Sequence, residues 1–313
     1  MNKKIIAAAV QMEAKLGDID ANIDAASRLI DLAASREAEI IIIPEFFTTG
    51  MAFHPSLLDA ALPLKGRAME FLISKAGQHN CVVGGSFLSI KDDGERYNTF
   101  ALVFPEGSYA THDKDIPTMW ENCYYKGGRD EGIFDTPLGN CGVALCWEMV
   151  RTGTVKRLRS RIDLLLAGSC WWTVPDGWMP FKKKISQMNL EIMKDTPGRM
   201  ARMLGVPVIH AGHAGGFKGK TPFLPGFPFR SHCLGETQIV DGSGKILARL
   251  PREEGEGVIT AEIVPGMREP LESVQKKRFW IPEFHPMFLF FWRYQNFHGK
   301  MYYRLITKRR TNK

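Results

Sequence analysis

No stretch of the 313-residue chain runs for about 18 apolar residues without a charge, so nothing in it reads as a bilayer-crossing helix. The opening "MNKKIIAAAVQMEAKLGD" lacks the long apolar segment of an export signal. Gln11 and Glu13 interrupt it, and it reads as a first β-strand. The six cysteines (81, 123, 141, 146, 170, 233) form neither a CxxC pair nor a regular framework. Free thiols in a reducing cytoplasm are the expectation, most of them as small core residues. His210 and His213 in "HAGH" stand three apart after a strand, with no carboxylate motif nearby, so no metal is expected. The glycines of "GGF" and "GSG" belong to turns. Neither opens a helix with phosphate-loop spacing, so no nucleotide and no cofactor is expected. Acids are scarce in one place only. Residues 276–313 hold ten Lys/Arg and the single acid Glu283, whereas the first 275 hold 31 basic and 33 acidic residues. The overall charge of +7 therefore belongs to the tail, and no nucleic-acid partner is expected of the body.

What is present is an alternation of short β-like runs with amphipathic segments. "KIIAAAVQM" reads as a strand. Residues 19, 23, 26, 29, 30 and 33 repeat at helical spacing after Asp18, a candidate cap. "EIIIIPE" reads as a buried strand broken by Pro44, and a helix over about 65–78 leads into "CVVGGSFLSI". "YNTFALVF", "PEGS" and "YATHDK" make a hairpin. Then come "CGVALCW", a helix across 149–161, "IDLLLAG", a long helix from about 180 to 204, "GVPVIHAG", the hairpin "GETQIVDGSGKILARL" and a last strand "GVITAEIV". This pattern predicts a layered α/β domain with a mixed sheet. No linker, repeat or low-complexity tract appears before residue 275, so residues 1–275 read as one catalytic-sized domain and 276–313 as an extension.

Three reactive side chains end or follow predicted strands: Glu45 after "IIIIP", Lys114 in "YATHDKDIP" and Cys146 at the end of "GVAL". In open α/β sheets functional groups gather beyond the carboxyl ends of strands. Taken singly, Glu45 could cap a following helix, Lys114 could be an exposed hairpin charge and Cys146 a core sulfur. As a set, they supply a thiol, a base for its proton and a cation beside it, which is what a cysteine nucleophile needs.

The chain resembles the nitrilase, or carbon–nitrogen hydrolase, superfamily over roughly residues 5–265. The resemblance lies in "IIIPEFFTTG", "YNT", "HDKDIP", "DTPLGNCGVALCWE" and "GETQIVDGSGKILA", in that order. It implies a four-layer α-β-β-α sandwich, commonly paired into a homodimer or higher homo-oligomer. It further implies a Glu45–Lys114–Cys146 triad that hydrolyses carbon–nitrogen bonds through a cysteine thioester. Glu121 would position substrate and orient the lysine, with a solvated loop carboxylate as its alternative. Lys114 and the backbone N–H of Trp147 would stabilise the oxyanion. Cys170, Trp171 and Trp172 in "AGSCWWTVP" are read as pocket wall or core. The substrate is then a small-molecule amide or nitrile. "CWE" resembles true nitrilases, while the continuation "MVRTGTVKRL" departs from them; an amidase is the leading reading and a nitrilase follows. A non-catalytic binding member and an acyltransferase of the same fold stay open. The tail, "RFWIPEFHPMFLFFWRYQNFHGKMYYRLITKRR", mixes aromatic and basic residues. Such a mixture suits either an anionic membrane surface, at the inner face of a cytoplasmic membrane, or packing on a second subunit or its own domain.

Overall fold

In the computed structural model, residues 3–176, 182–221, 226–281 and 286–311 are described. The strands are β1 Ile5–Met12, β2 Ile40–Ile42, β3 Leu62–Pro63, β4 Val82–Ile90, β5 Arg96–Val103, β6 Tyr109–Asp113, β7 Ile133–Thr136 and β8 Gly139–Leu145. They continue as β9 Leu164–Ser169, β10 Val208–His213, β11 Gly216–Lys220, β12 Pro228–His232, β13 Thr237–Val240, β14 Ile246–Leu250 and β15 Gly257–Ile263. The helices are α1 Ile19–Ala34, α2 Arg67–His79, α3 Thr152–Leu158, α4 Lys182–Leu204, α5 Pro286–Tyr302 and α6 Lys308–Thr311.

The main sheet runs in the order β6-β5-β4-β2-β1-β10-β9-β8-β7, with β13, β14 and β15 branching from β10 and β1. Its centre is parallel: β1 pairs in parallel with β2 and β10, and β9 with β10 and β8. The outer pairs β4–β5, β5–β6 and β7–β8 are antiparallel. The mixed sheet read from the sequence is therefore present.

Side-chain alternation along the strands divides the interior into layers. On β1, Ala8, Val10 and Met12 face α1 and α2, while Ile5, Ala7 and Ala9 turn the other way. There they meet Val143 and Leu145 of β8, Leu164 and Leu166 of β9, and Ile209 of β10. The opposite faces of β8 and β9, at Ala144, Leu165 and Ala167, pack under α3 and α4. Helices, half-sheet, half-sheet, helices: this is the four-layer α-β-β-α arrangement, with three apolar interfaces between its layers.

Local chemistry accounts for the element ends. Asp18 caps α1 by accepting from the Ala21 N–H at 3.1 Å. Asn80, in the left-handed conformation, ends α2. The helix expected across 149–161 is shorter. A 3₁₀ turn at Cys146–Glu148 intervenes, and α3 begins only at Thr152.

The C-terminal segment lies on its own domain. Phe279, Trp280, Ile281 and Trp292 are buried in the α3–α4 core, and Trp280 Nε1 donates to the Met149 carbonyl at 2.6 Å. The outer side of this segment carries exposed Phe290, Phe297 and Met301 beside exposed Arg293, Lys300 and Arg304. Among the described residues, no helix is long and apolar enough to cross a membrane.

Candidate active site

The charged floor is assembled from strand ends. β2 runs out at Ile42, and Pro44 stops its ladder so that Glu45 turns inward. The next residue, Phe46, has φ of 54°, and its N–H is held by Ser86 Oγ at 3.1 Å. Lys114 follows β6, its N–H bonded to the Asn98 carbonyl at 2.9 Å. Behind it the "KGG" loop packs backbone against backbone. A side chain at Gly127 would meet the Asp115 carbonyl oxygen at 1.9 Å, so only glycine lets the loop close over the lysine strand. Cys146 sits at the tip beyond β8 with φ of 50°, a left-handed conformation that costs a non-glycine residue on the order of 1 kcal/mol.

These ends converge. Glu45 and Lys114 are completely buried, and Lys114 Nζ donates to Glu45 Oε1 at 2.9 Å and to Glu121 Oε2 at 2.7 Å. Glu45 is therefore not an exposed cap, Lys114 not a surface charge, and Glu121 not a solvated loop acid. Asn98 Nδ2 donates to Glu45 Oε1 at 2.8 Å, and the Cys170 N–H donates to Glu45 Oε2 at 2.9 Å. The Thr118 N–H, at 2.8 Å, and the Tyr125 hydroxyl donate to Glu121 Oε2. The Cys146 thiol lies within the fields of Glu45, Lys114 and Glu121 and receives the Trp147 N–H.

Two carboxylates share one ammonium in a buried site, and the ionisations follow from that. Burial pushes Glu45 up to about 7; Lys114 opposes the rise and Glu121 adds to it. Burial works against the Lys114 charge too, but Glu121 and Glu45 outweigh it and hold the lysine well above its ordinary value. Burial, then the charge of Glu45, push Cys146 well above the usual thiol range despite Lys114. The resting pair is thus a neutral thiol beside a carboxylate that gains and loses its proton near neutrality.

A second buried network braces this floor. Glu148, two residues past Cys146, is completely buried and accepts the Leu145 N–H at 2.8 Å and the Asp115 N–H at 3.0 Å. One carboxylate thus ties the residue before the cysteine to the residue after the lysine. Behind it, His112 Nε2 stands 3.2 Å from Glu148 Oε2, and its Nδ1 bonds Asp130. Burial alone would lower the imidazole, but Glu148 and Asp130 lift it to about 9, so it is a cation between two anions. Arg151 adds another tie, from Nε to the Trp147 carbonyl at 3.2 Å and from its guanidinium to Asp115.

Above the floor a cavity of about 360 Å³ opens, with Cys146, Glu121, Trp147, Cys170, Trp171 and Trp172 among its lining. All the side chains singled out for the pocket wall therefore reach it. Sequence reasoning did not anticipate five contributors. Asn98 lies inside the quoted motif "YNT" and Tyr125 four residues after Glu121, neither of them having been given a role. Phe291, Tyr294 and Gln295 come to the cavity from α5, and their distance along the chain from the other motifs hides them. The two histidines of "HAGH" are structural. His213 Nε2 bonds the Glu45 carbonyl at 2.7 Å, and His210 lies between Ser169 Oγ at 2.8 Å and the Glu236 carbonyl at 3.1 Å.

Comparison with known proteins agrees with this architecture. A 169-residue stretch is 30% identical to nitrilase 3 of Arabidopsis thaliana, covering 44% of this chain and 46% of that protein. Over 140 residues it is 29% identical to an omega-amidase of Xenopus laevis, covering 41% of this chain and 50% of the relative. The chain thus spans about half the length of these curated relatives. Among solved structures, a CN-hydrolase superfamily protein of Xanthomonas campestris aligns with a TM-score of 0.66 at 18% identity, covering 83% of this chain and 91% of that one. An amidase of Nesterenkonia aligns with a TM-score of 0.65 at 16% identity, over 88% of this chain and 93% of that one. The family profile described as carbon-nitrogen hydrolase matches residues 6–272, from the first strand to beyond the last and across the whole charged floor. The chain belongs to the carbon–nitrogen hydrolase family.

Proposed function

We propose that this hydrolase cleaves a non-peptide amide to a carboxylic acid and ammonia or an amine, through a thioester on Cys146. The observation that carries this reading is the Lys114 ammonium shared between Glu45 and Glu121 at 2.9 and 2.7 Å, with the Cys146 thiol in the same buried cluster. Glu45 takes the thiol proton as sulfur attacks the carbonyl carbon, which suits a carboxylate poised at about 7. Negative charge then grows on the carbonyl oxygen, where Lys114 Nζ and the Trp147 N–H are the donors at hand; losing one such donor commonly costs ~3–4 kcal/mol. As the carbon–nitrogen bond breaks, Glu45 gives its proton to the departing nitrogen. In the second half Glu45 accepts a proton from water, the hydroxyl adds to the thioester carbon, and the carbon–sulfur bond breaks as Glu45 returns that proton to sulfur, regenerating the thiol. Glu121 keeps the lysine aimed through the bond at 2.7 Å.

The second reading is a nitrilase. Cys146-Trp147-Glu148 and the likeness to plant nitrilases favour it, and its thioester would arise from a thioimidate instead of an amide adduct. Intact-mass analysis after brief exposure to paired amides and nitriles tests both. The expected result is an acyl adduct on Cys146 that is absent from Cys146→Ala, formed faster from the amide of each pair. Faster formation from the nitrile would favour the second reading. Undiminished turnover by Cys146→Ala would overturn both. Hydroxylamine trapping compared with hydrolysis separates transfer to water from transfer to an amine.

A further inference from the structure

We infer that the substrate's acyl group is bulky and apolar, and that helix α5 is the wall that selects it. The thioester reading supplies the bond that is broken; the selectivity of the cavity stands on its own geometry.

The cavity falls in the size range of small-molecule sites, and it is far larger than an acetyl group needs. Its wall is rich in aromatic and thioether side chains: Trp147 and Trp171 from one apolar cluster, and Met51, Phe53, Trp120 and Trp172 from another. Among the described lining residues the charged side chain is Glu121, and its carboxylate is already engaged by Lys114, Thr118 and Tyr125. A second carboxylate or ammonium on the acyl chain would leave water there with no free counter-ion among the described lining residues. A phenyl ring or an unbranched alkyl chain would instead exchange water for ring faces.

The remaining wall comes from a segment beyond the family match, which ends at residue 272. Phe291, Tyr294 and Gln295 of α5 face the cavity, and the neighbouring Trp292 stacks on Trp147 at 5.1 Å between ring centroids. The helix is held in fixed register to the floor. Asn122 Nδ2 donates to Asn296 Oδ1 at 2.9 Å, and Thr307 Oγ1 donates to the Cys123 carbonyl at 2.5 Å. At Gly299 the approach is so close that a Cβ would meet Asn122 Cβ at 2.7 Å. This places α5 directly against the Met119–Cys123 turn that carries Glu121. The width of the pocket is therefore set by the seating of a helix beyond the residues that the family profile matches.

Two ladders of amides test the inference. For primary amides from acetamide to hexanamide, kcat/KM is expected to rise about 4-fold per methylene, the factor that corresponds to ~0.8 kcal/mol of burial. 3-Phenylpropanamide should exceed acetamide by more than 100-fold, and an acyl chain ending in a carboxylate should do no better than acetamide. N-alkyl acetamides, which vary only the leaving amine, should show no such ladder. Phe291→Ala should lose about 10-fold more on 3-phenylpropanamide than on acetamide. Phe291→Trp, which fills the cavity, should shift the optimum to shorter chains. The same primary amides titrated into Cys146→Ala, read by tryptophan fluorescence, should bind in the same order. A flat ladder, a preference for charged acyl chains, or a ladder carried by the amine would each overturn the inference. If Cys146→Ala binds in the expected order while the wild type forms no acyl adduct, the inference stands and the thioester reading falls.

Discussion

The floor and the wall of this pocket are built on opposite principles. Glu45, Lys114, Cys146 and Glu121 are buried ionisable groups brought in by strand ends and one short turn, and both Glu45 oxygens, Lys114 Nζ and Glu121 Oε2 are held by specific donors or acceptors. The α5 wall is aromatic toward the cavity, and ring stacking, one glycine-mediated close approach and two hydrogen bonds outside the cavity hold it in place. Changing the floor should alter whether chemistry happens; changing the wall should alter on what. Buried charges have few acceptable geometries, because a mispaired one costs several kcal/mol. Apolar walls tolerate repacking at a cost of usually less than ~1.5 kcal/mol.

The sharpest test of this contrast is Cys146→Ala. Turnover should fall by at least about 10³-fold with the melting temperature nearly unchanged, because the nucleophile contributes chemistry and little packing. Substantial residual turnover would place the chemistry elsewhere. Next in size is Lys114→Met. It leaves Glu45 and Glu121 buried without their shared cation, so it should lose activity and also destabilise by about 3–5 kcal/mol in urea titration. A loss of activity with full stability would show that the lysine is not the electrostatic keystone of the floor.

The pH dependence separates floor from brace. With Glu45 at about 7, kcat/KM should climb through neutrality as its carboxylate ionises, and the climb should vanish in Glu45→Gln. The sign for stability is opposite. Folding favours the protonated Glu45, so its contribution is full below its unfolded value near 4.5 and is lost as pH rises through about 7. Glu45→Gln should therefore gain stability relative to wild type between pH 5 and 8. His112, raised to about 9, contributes fully below about 6.5 and loses that contribution as pH climbs through 9. A smaller effect is expected from Glu148→Gln. Weakening the charge-assisted bonds to the Leu145 and Asp115 N–H groups should lower kcat about 10-fold, leave KM nearly unchanged, and shift the alkaline limb of stability by altering His112. A KM effect alone would make Glu148 a wall residue after all.

How much of this was legible along the chain depended on whether a signal was local. Short β-like runs alternating with amphipathic segments gave the strands and a layered α/β domain with a mixed sheet, while the four layers were only what the family resemblance implied. The ordered motifs pointed to Glu45, Lys114 and Cys146, since each ends a buried run. The extent of the helix after Cys146 was misjudged: Glu148 is drawn back to the Leu145 N–H, which tightens the chain into a 3₁₀ turn and delays α3 to Thr152. That bond is local, yet its reason is the distant Asp115 N–H on the same carboxylate.

By itself, then, the sequence determined which residue types are available for chemistry, where buried strands stop, and that the sheet is mixed. Only the tertiary structure decided that three strand ends share one buried floor, which raises Glu45 toward neutrality and keeps the thiol protonated. It alone decided as well that a basic, aromatic tail folds back as the wall of the pocket. The physical reason is range. Hydrophobic periodicity is written within a dozen neighbouring residues, whereas desolvation and charge coupling depend on groups 69 positions apart in the chain and 2.9 Å apart in space.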